Sequence, residues 1–409
     1  MSPMFKKLLP GGTSACELES VFQCDTCLDC AFANSTGPAP AEAHNWEYGY
    51  PRDSNNLGMN DGMCQAAFPG LFQDIHRAVE DRNGSKVSIQ ELDGIQINNG
   101  YIRCMIYDRK LYILAANFRD QTHLERGTAL VSAIHRSLTA MPHDYVVPNI
   151  EFVVSAEDYA PDARKPYWSL TRRSQDTNIW LMPDFAYWTW SMEEIGPYDA
   201  IVQQIIDAEE ASNCWECKIK KAIWRGSIWP AKILRRALID AARGKTWSDV
   251  QAMTDESSNH IHVVDQCEYM FNIHAEGRSY SGSLRYRQAC RSVVIIHEMQ
   301  WLQHYHYLMR ADGEHQNYVR VKRDFSDLDA SIEHLLAHPD EARRIADNNV
   351  AAFRERYLTP AAEACYWRTL FKAWATVSFE PQLYEEVDKG DGSGRAVRHV
   401  RGMRFENFV

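Results

Sequence analysis

The chain has 409 residues, 45% of them apolar and 11% aromatic, enough for two domains of ordinary size with real cores. A formal net charge of −11 argues against the basic face of a general nucleic-acid binder, yet leaves room for a local basic pocket that takes a nucleotide. No apolar run reaches the roughly 18 residues of a membrane-spanning helix, and the apolar part of the opening MSPMFKKLLPGG is too short for a signal peptide.

Residues 1–44 show little periodicity and carry Cys16, Cys24, Cys27 and Cys30. Four thiolates in overlapping CxxC steps would suffice for a tetrahedral zinc site; a disulfide-linked extension is the favoured reading. PAPAEAHNWEYGYPRDSNN then reads as a linker. From Met63 the pattern predicts a helix with Phe68, Leu71, Phe72, Ile75 and Val79 near one face. YIRCMIYDRKLYILA predicts two strands around a turn at Asp108-Arg-Lys, and Leu124 to Leu138 a further helix. Ile150 to Val154 is a compact apolar strand, followed by the loop Ser155-Ala-Glu-Asp158-Tyr-Ala-Pro. Ligands collect at the carboxyl end of strands in open parallel sheets, which makes Asp158 a candidate for chemistry. The plainer reading of Asp158 is a turn or helix cap.

The most aromatic stretch follows, IWLMPDFAYWTWSMEEIGPYD, with Trp180, Phe185, Tyr187, Trp188 and Trp190. Flat rings with polar rims suit sugar faces, and Asp184, Glu193 and Glu194 add acceptors beside them; rings at this density also make ordinary cores. Tyr198 to Lys221 reads as a charged helix containing a CxxC at Cys214 and Cys217. Ala222 to Trp224 is strand-like and runs into the tight loop Arg225-Gly226-Ser227 before a helix that starts near Pro230 and closes at Gly244. Tyr269 to Ile273 is a second strand leading into a small-residue loop and a basic segment with Arg285, Arg287 and Arg291. Two strand–loop–helix units, each with arginine near the turn, form a candidate anion site; neither carries GxxxxGK[ST] or GxGxxG spacing. Ser292 to Ile296 is a buried-strand pattern, and beyond it a strand, a loop and two or three amphipathic helices follow, with Asp327 and Asp329 as expected N-caps. The tail after Glu380 is Gly-rich, charged and expected to be flexible. Alternation of strand and helix patterns makes the fold class α/β.

Five ordered signatures, NIEFVVSAEDYAP, PDFAYWTW, WRGS, HVVDQCEYMFNI with SGSLRYRQACRSVV, and NYVRVKRDFSDL, give the chain a specific resemblance to glycosyltransferase family 90, the Rumi-like O-glucosyltransferase and fungal capsule-associated xylosyltransferase group. It runs from about Met63 to Trp374. The resemblance implies a GT-B architecture, two Rossmann-like lobes facing a cleft with a C-terminal helix returning to the first. The expected division is an extension at 1–44, an acceptor-side lobe at 45–190, a nucleotide-sugar lobe at 191–350, the return helix at 351–380 and the tail at 381–409. It implies an inverting, metal-independent transfer of glucose or xylose from a UDP-sugar, with no cofactor, to a glycan or glycoprotein hydroxyl. Asp158 falls where the family's catalytic base lies. Arg225 and Arg285 match its diphosphate-binding arginines, with Gly226, Ser227 and Ser283 beside them, and Asp184, Phe185 and Trp188 line the sugar or acceptor. The family pattern pairs Cys267 with Cys290 and Cys64 with Cys365. Eleven cysteines, with glycosylation sequons at Asn34-Ser-Thr and Asn83-Gly-Ser, lean towards a secretory-pathway lumen, with membrane association only through a segment this sequence lacks. The contrasting expectation is a catalytically silent, glycan-binding member, against which the retained Asp158, Arg225 and Arg285 speak.

Overall fold

The computed structural model describes residues 46–142, 145–188, 195–212, 214–254, 259–388 and 396–409. Cys16, Cys24, Cys27, Cys30, Trp190, Glu193 and Glu194 lie outside the described residues. Tyr48–Val409 form one compact unit, distinct from a unit at residues 1–47. Among the described residues no helix is long and apolar enough to cross a membrane.

The first sheet grows from a hairpin of β1 (Tyr101–Tyr107) and β2 (Lys110–Asn117). Asp108 and Arg109 at its corner have φ of 48° and 60°, the doubly left-handed turn whose twist matches that of antiparallel strands. β3 (Ile150–Ser155), buried at every position, pairs antiparallel with β1 and parallel with the short β4 (Trp168–Ser169), which β5 (Trp180–Leu181) extends. The order is therefore mixed, where the resemblance implies a Rossmann-like lobe: a two-residue turn forces β1 and β2 to be antiparallel. Of the tail expected to be flexible, the described residues 381–388 and 396–409 instead carry regular structure. Tyr384–Asp388 and Ala396–Val400 form an antiparallel ribbon, Met403–Arg404 pairs with β2, and Phe405 is buried, its ring stacked 4.3 Å from His135.

The second sheet is parallel throughout, in the order β10 (Val319–Val321), β9 (Val293–His297), β8 (Tyr269–His274), β6 (Ile219–Gly226), β7 (Ser248–Ala252). In chain order this is the doubly wound 2-1-3-4-5 arrangement. The winding reverses between β6 and β8, so the crevice opens at their carboxyl ends. Its core gathers Trp224, Trp247, Phe271, Ile273 and Ile295 with Leu238 and Ile332 from flanking helices.

Several boundaries move. The helix expected from Met63 splits into Asp61–Ala67 and Gln73–Asp81, because Pro69 and Gly70 (φ 83°) intervene. The charged helix stops at Ser212, and β6 begins at Ile219, ahead of Ala222. Neither Asp327 nor Asp329 caps the helix Leu328–Ala337 through its side chain. Asp327 takes the Lys322 amide, and Asp329 accepts the Trp247 indole N–H at 2.9 Å.

The helix Pro360–Val377 ties the C-terminal part to the first sheet. Thr359 caps it, and most of its residues are buried. Trp374 donates to the Glu151 carbonyl on β3 at 3.0 Å, and Trp168, stacked 3.9 Å from Phe152, meets Trp374 edge to face. Cys365 on this helix is disulfide-bonded to Cys64.

Candidate functional site

A cavity opens at the carboxyl ends of β6 and β8. This is the crevice that the reversal in strand order creates. Arg225 and Gly226 from the end of β6, Asn272 from β8, and Ser283 and Arg287 from the helix Ser283–Ala289 line its polar side. Met253, Ile261 and Val263 supply an apolar wall.

Each side chain is set by its element. Arg225 donates to the Asp249 carboxylate at 2.7 Å and to the carbonyls of Asp249 and Asn259, so its charge is paired and its geometry fixed. A Cβ at Gly226 would meet the Trp224 ring at 2.7 Å, which explains the absence of a side chain at the cavity mouth. Ser227 does not line the cavity; its carbonyl instead accepts from Arg235. Ser283 opens its helix and its hydroxyl accepts from Arg287. The disulfide between Cys267 and Cys290 runs alongside, with Cys290 in the cavity wall.

The electrostatics are unbalanced in one direction. Among the described residues neither Arg235 nor Arg287 has a carboxylate partner, and both are at least nine-tenths buried. Arg235 spends its donors on the carbonyls of Ser227 and Glu276, and Arg287 leaves Nε without a hydrogen bond. Burial lowers the pKa of both guanidinium groups, and at Arg287 the nearby Arg235 charge adds to the effect. Buried cations without counter-charge are costly, and an anionic ligand is the natural compensation.

Arg285 is elsewhere. It is 1% exposed, with Nη2 2.8 Å from the Asp184 carboxylate and its guanidinium 4.6 Å from the Tyr187 ring centre. The structure therefore brings Arg287, not Arg285, to the cavity. Asp184 is also buried; besides Arg285 it accepts the Ala186 amide at 2.8 Å and so caps the short turn Phe185–Tyr187. Its local role is that of a cap and counter-ion, not a residue lining open space.

Asp158 lies beyond the end of β3, and its carboxylate accepts from Arg126 at 2.7 Å. Arg126 comes from the helix Gln121–Thr139 and sits 4.8 Å above the Phe185 ring. No sequence signal marks Arg126, one of two arginines on that helix. The loop following β8 reaches the same place. The Ser279 hydroxyl donates to the Asp158 carbonyl, and Arg278 donates to the Tyr159 hydroxyl at 2.9 Å. Loops from the two sheets thus meet at Asp158. Trp188 stands apart, its ring under the Arg136 guanidinium at 3.9 Å. Among the described residues the grouping of His, Cys, Asp and Glu able to hold a metal is His334, His338 and Glu341, none of which lines the cavity.

Residues 64–389 match the model of Glycosyl transferase family 90. The chain is similar to Protein O-glucosyltransferase 1 of Homo sapiens, 23% identical over 253 residues, which cover 56% of this chain and 63% of that protein. It is also similar to Protein O-glucosyltransferase 2 of Danio rerio, 26% identical over 256 residues, covering 58% of this chain and 49% of that protein. The match to Protein O-glucosyltransferase 1 of Rattus norvegicus is 23% over 253 residues. The matched region spans between about half and under two thirds of these relatives' lengths.

Proposed function

The chain belongs to glycosyl transferase family 90, and we propose that it is an inverting, metal-independent glycosyltransferase that moves glucose or xylose from a UDP-sugar to a hydroxyl of a glycan or glycoprotein. In this reading the two sheets are the lobes of a GT-B fold and the cavity beyond β6 and β8 takes the donor. The observation that carries it is the pair of buried arginines, Arg235 and Arg287, without a carboxylate partner among the described residues, at the point where strand order reverses. A diphosphate supplies the missing charge through charge-assisted hydrogen bonds to Arg287 and Ser283, beside the fixed Arg225. The flat pyrimidine fits the wall of Met253, Ile261 and Val263.

Inversion needs a single displacement at the anomeric carbon. Asp158 takes the proton of the acceptor hydroxyl as that oxygen attacks opposite the leaving group, and Arg126 orients the carboxylate. The diphosphate departs with the bond electrons into the field of the arginines, fixed charges that need no reorganisation during the step. Three disulfides, Cys64–Cys365, Cys214–Cys217 and Cys267–Cys290, fit residence in the oxidising secretory lumen.

The test is UDP release from a panel of UDP-sugars in EDTA, with UDP affinity measured by titration calorimetry for wild type and Asp158→Asn. Turnover of one or two donors, abolished in the variant while UDP affinity holds, is the expected result. Turnover that survives the substitution removes Asp158 as base. A wild-type chain that binds no UDP removes the transferase reading in favour of a silent glycan-binding member.

A further inference from the structure

The CxxC at Cys214-Trp-Glu-Cys217 takes no part in the donor cavity, yet it is oxidised: Cys214 and Cys217 are disulfide-bonded. A structural staple is a poor account of this bond. The stabilisation a disulfide brings by restricting the unfolded chain grows with the loop it closes, and here the cysteines are three positions apart, against 23 for Cys267–Cys290 and 301 for Cys64–Cys365. The other two bridges join buried sulfurs, whereas Cys214 is half-buried and Cys217 exposed.

The turn that carries the bond keeps its shape by other means. Trp215, between the cysteines, is 4% exposed and belongs to the core of the second sheet. The Lys218 amide donates to the Trp215 carbonyl at 3.2 Å, and the Cys217 amide donates to Cys214 Sγ at 3.1 Å. Opening the bond therefore leaves two sulfurs held close together, with a backbone N–H already directed at Cys214. A hydrogen-bonded pair in CxxC spacing with one cysteine exposed is the arrangement that favours thiolate over thiol and makes exchange reversible.

We propose that Cys214 and Cys217 form a thiol–disulfide exchange site, distinct from the donor cavity, that reacts with dithiols of the surrounding compartment. The thiolate of the incoming dithiol attacks the exposed Cys217 Sγ. The S–S electron pair leaves on Cys214 Sγ, which the Cys217 amide receives as a hydrogen-bond donor and solvent then protonates. The second thiol of the reagent attacks the mixed disulfide, releases Cys217 as a thiolate that takes a second proton, and departs as a cyclic disulfide. Two electrons and two protons pass to the chain. The site also touches the Cys267–Cys290 bridge: Cys214, Cys217 and Cys267 share the lining of one cavity, and Lys218 donates to the Cys267 carbonyl.

The experiment incubates the full chain in buffers of graded reduced to oxidised dithiothreitol ratio, quenches with acid, alkylates, and quantifies each cysteine peptide by mass spectrometry. Half-reduction of Cys214 and Cys217 is expected at a ratio at least tenfold lower than for Cys267–Cys290 and Cys64–Cys365, with full return on re-oxidation. Opening at the same ratio as the buried bridges, or later, overturns the proposal. In a second arm Cys214→Ser leaves Cys217 alone, and oxidised glutathione should convert it to a stable mixed disulfide while the other bridges stay intact. A Cys217 that oxidised glutathione leaves unmodified would overturn it equally.

Discussion

Arg287→Met separates a ligand-binding arginine from a structural one, because the two roles predict opposite signs. Methionine keeps the unbranched stem of the side chain, though it ends shorter than arginine, and removes the charge that sits beside Arg235. Arg287 has no carboxylate partner among the described residues, so the unliganded fold gives up only the bond to Ser283, about 1 kcal/mol, and sheds the cost of a buried unpaired cation, at least as large. The apo protein should therefore be as stable as wild type or up to about 2 kcal/mol more so. Binding of UDP should weaken by about 1.5–3 kcal/mol, the range for hydrogen bonds to a charged group, or roughly 10- to 150-fold. Both quantities come from one assay, chemical denaturation with and without ligand. At UDP 100 times the wild-type Kd, ligand stabilises wild type by about 2.7 kcal/mol, and a 100-fold weaker variant by only about 0.4 kcal/mol. An apo variant destabilised by more than about 1 kcal/mol, with UDP affinity within twofold of wild type, would refute the reasoning. Arg287 would then be a packing residue.

Glu363, buried on the helix Pro360–Val377, accepts from the Trp367 indole at 3.2 Å, and burial pushes its carboxyl up to about 8. The folded chain thus holds a proton that the unfolded chain releases near about 4.3. Its contribution to stability is complete below that range and is lost as pH rises towards about 8, by at most about 1.4 kcal/mol per pH unit. Glu363→Gln should gain on wild type in denaturation midpoints across this window, and a constant difference from pH 5 to 8 would contradict the assignment. Replacing both Cys64 and Cys365 with alanine removes a tie across 301 positions and should cost about 2–5 kcal/mol in equilibrium unfolding. A loss below about 1 kcal/mol would mean that helix packing alone docks this segment.

The parts of the chain that follow from short-range chemistry were legible before folding. The apolar runs Ile150–Val154 and Val293–Ile296 lie in strands β3 and β9, the second starting one residue after the expected Ser292, because few other conformations bury every side chain of so short a run. The hairpin followed from its corner at Asp108, and the ordered motifs pointed to the family. Boundaries drifted where a local breaker outweighed periodicity, as at Pro69 and Gly70, and where the tail found a free strand edge on β2. That edge is made by residues almost 300 positions earlier, so no window of sequence contains the pairing.

The candidate site divides in the same way. Sequence alone determined that two strand–loop–helix units with arginines exist, and that Asp158 lies in the loop beyond a strand. Only the tertiary structure decided which arginine faces the cavity. Arg285 and Arg287 stand two positions apart on one helix, roughly 200° around its axis, so one must turn inward when the other turns towards the crevice. Spacing fixes that opposition but not its sense. The sense depends on Asp184 and Tyr187, brought from about a hundred residues away to hold Arg285, and that long-range neutralisation leaves Arg287, like Arg235, without a carboxylate partner among the described residues.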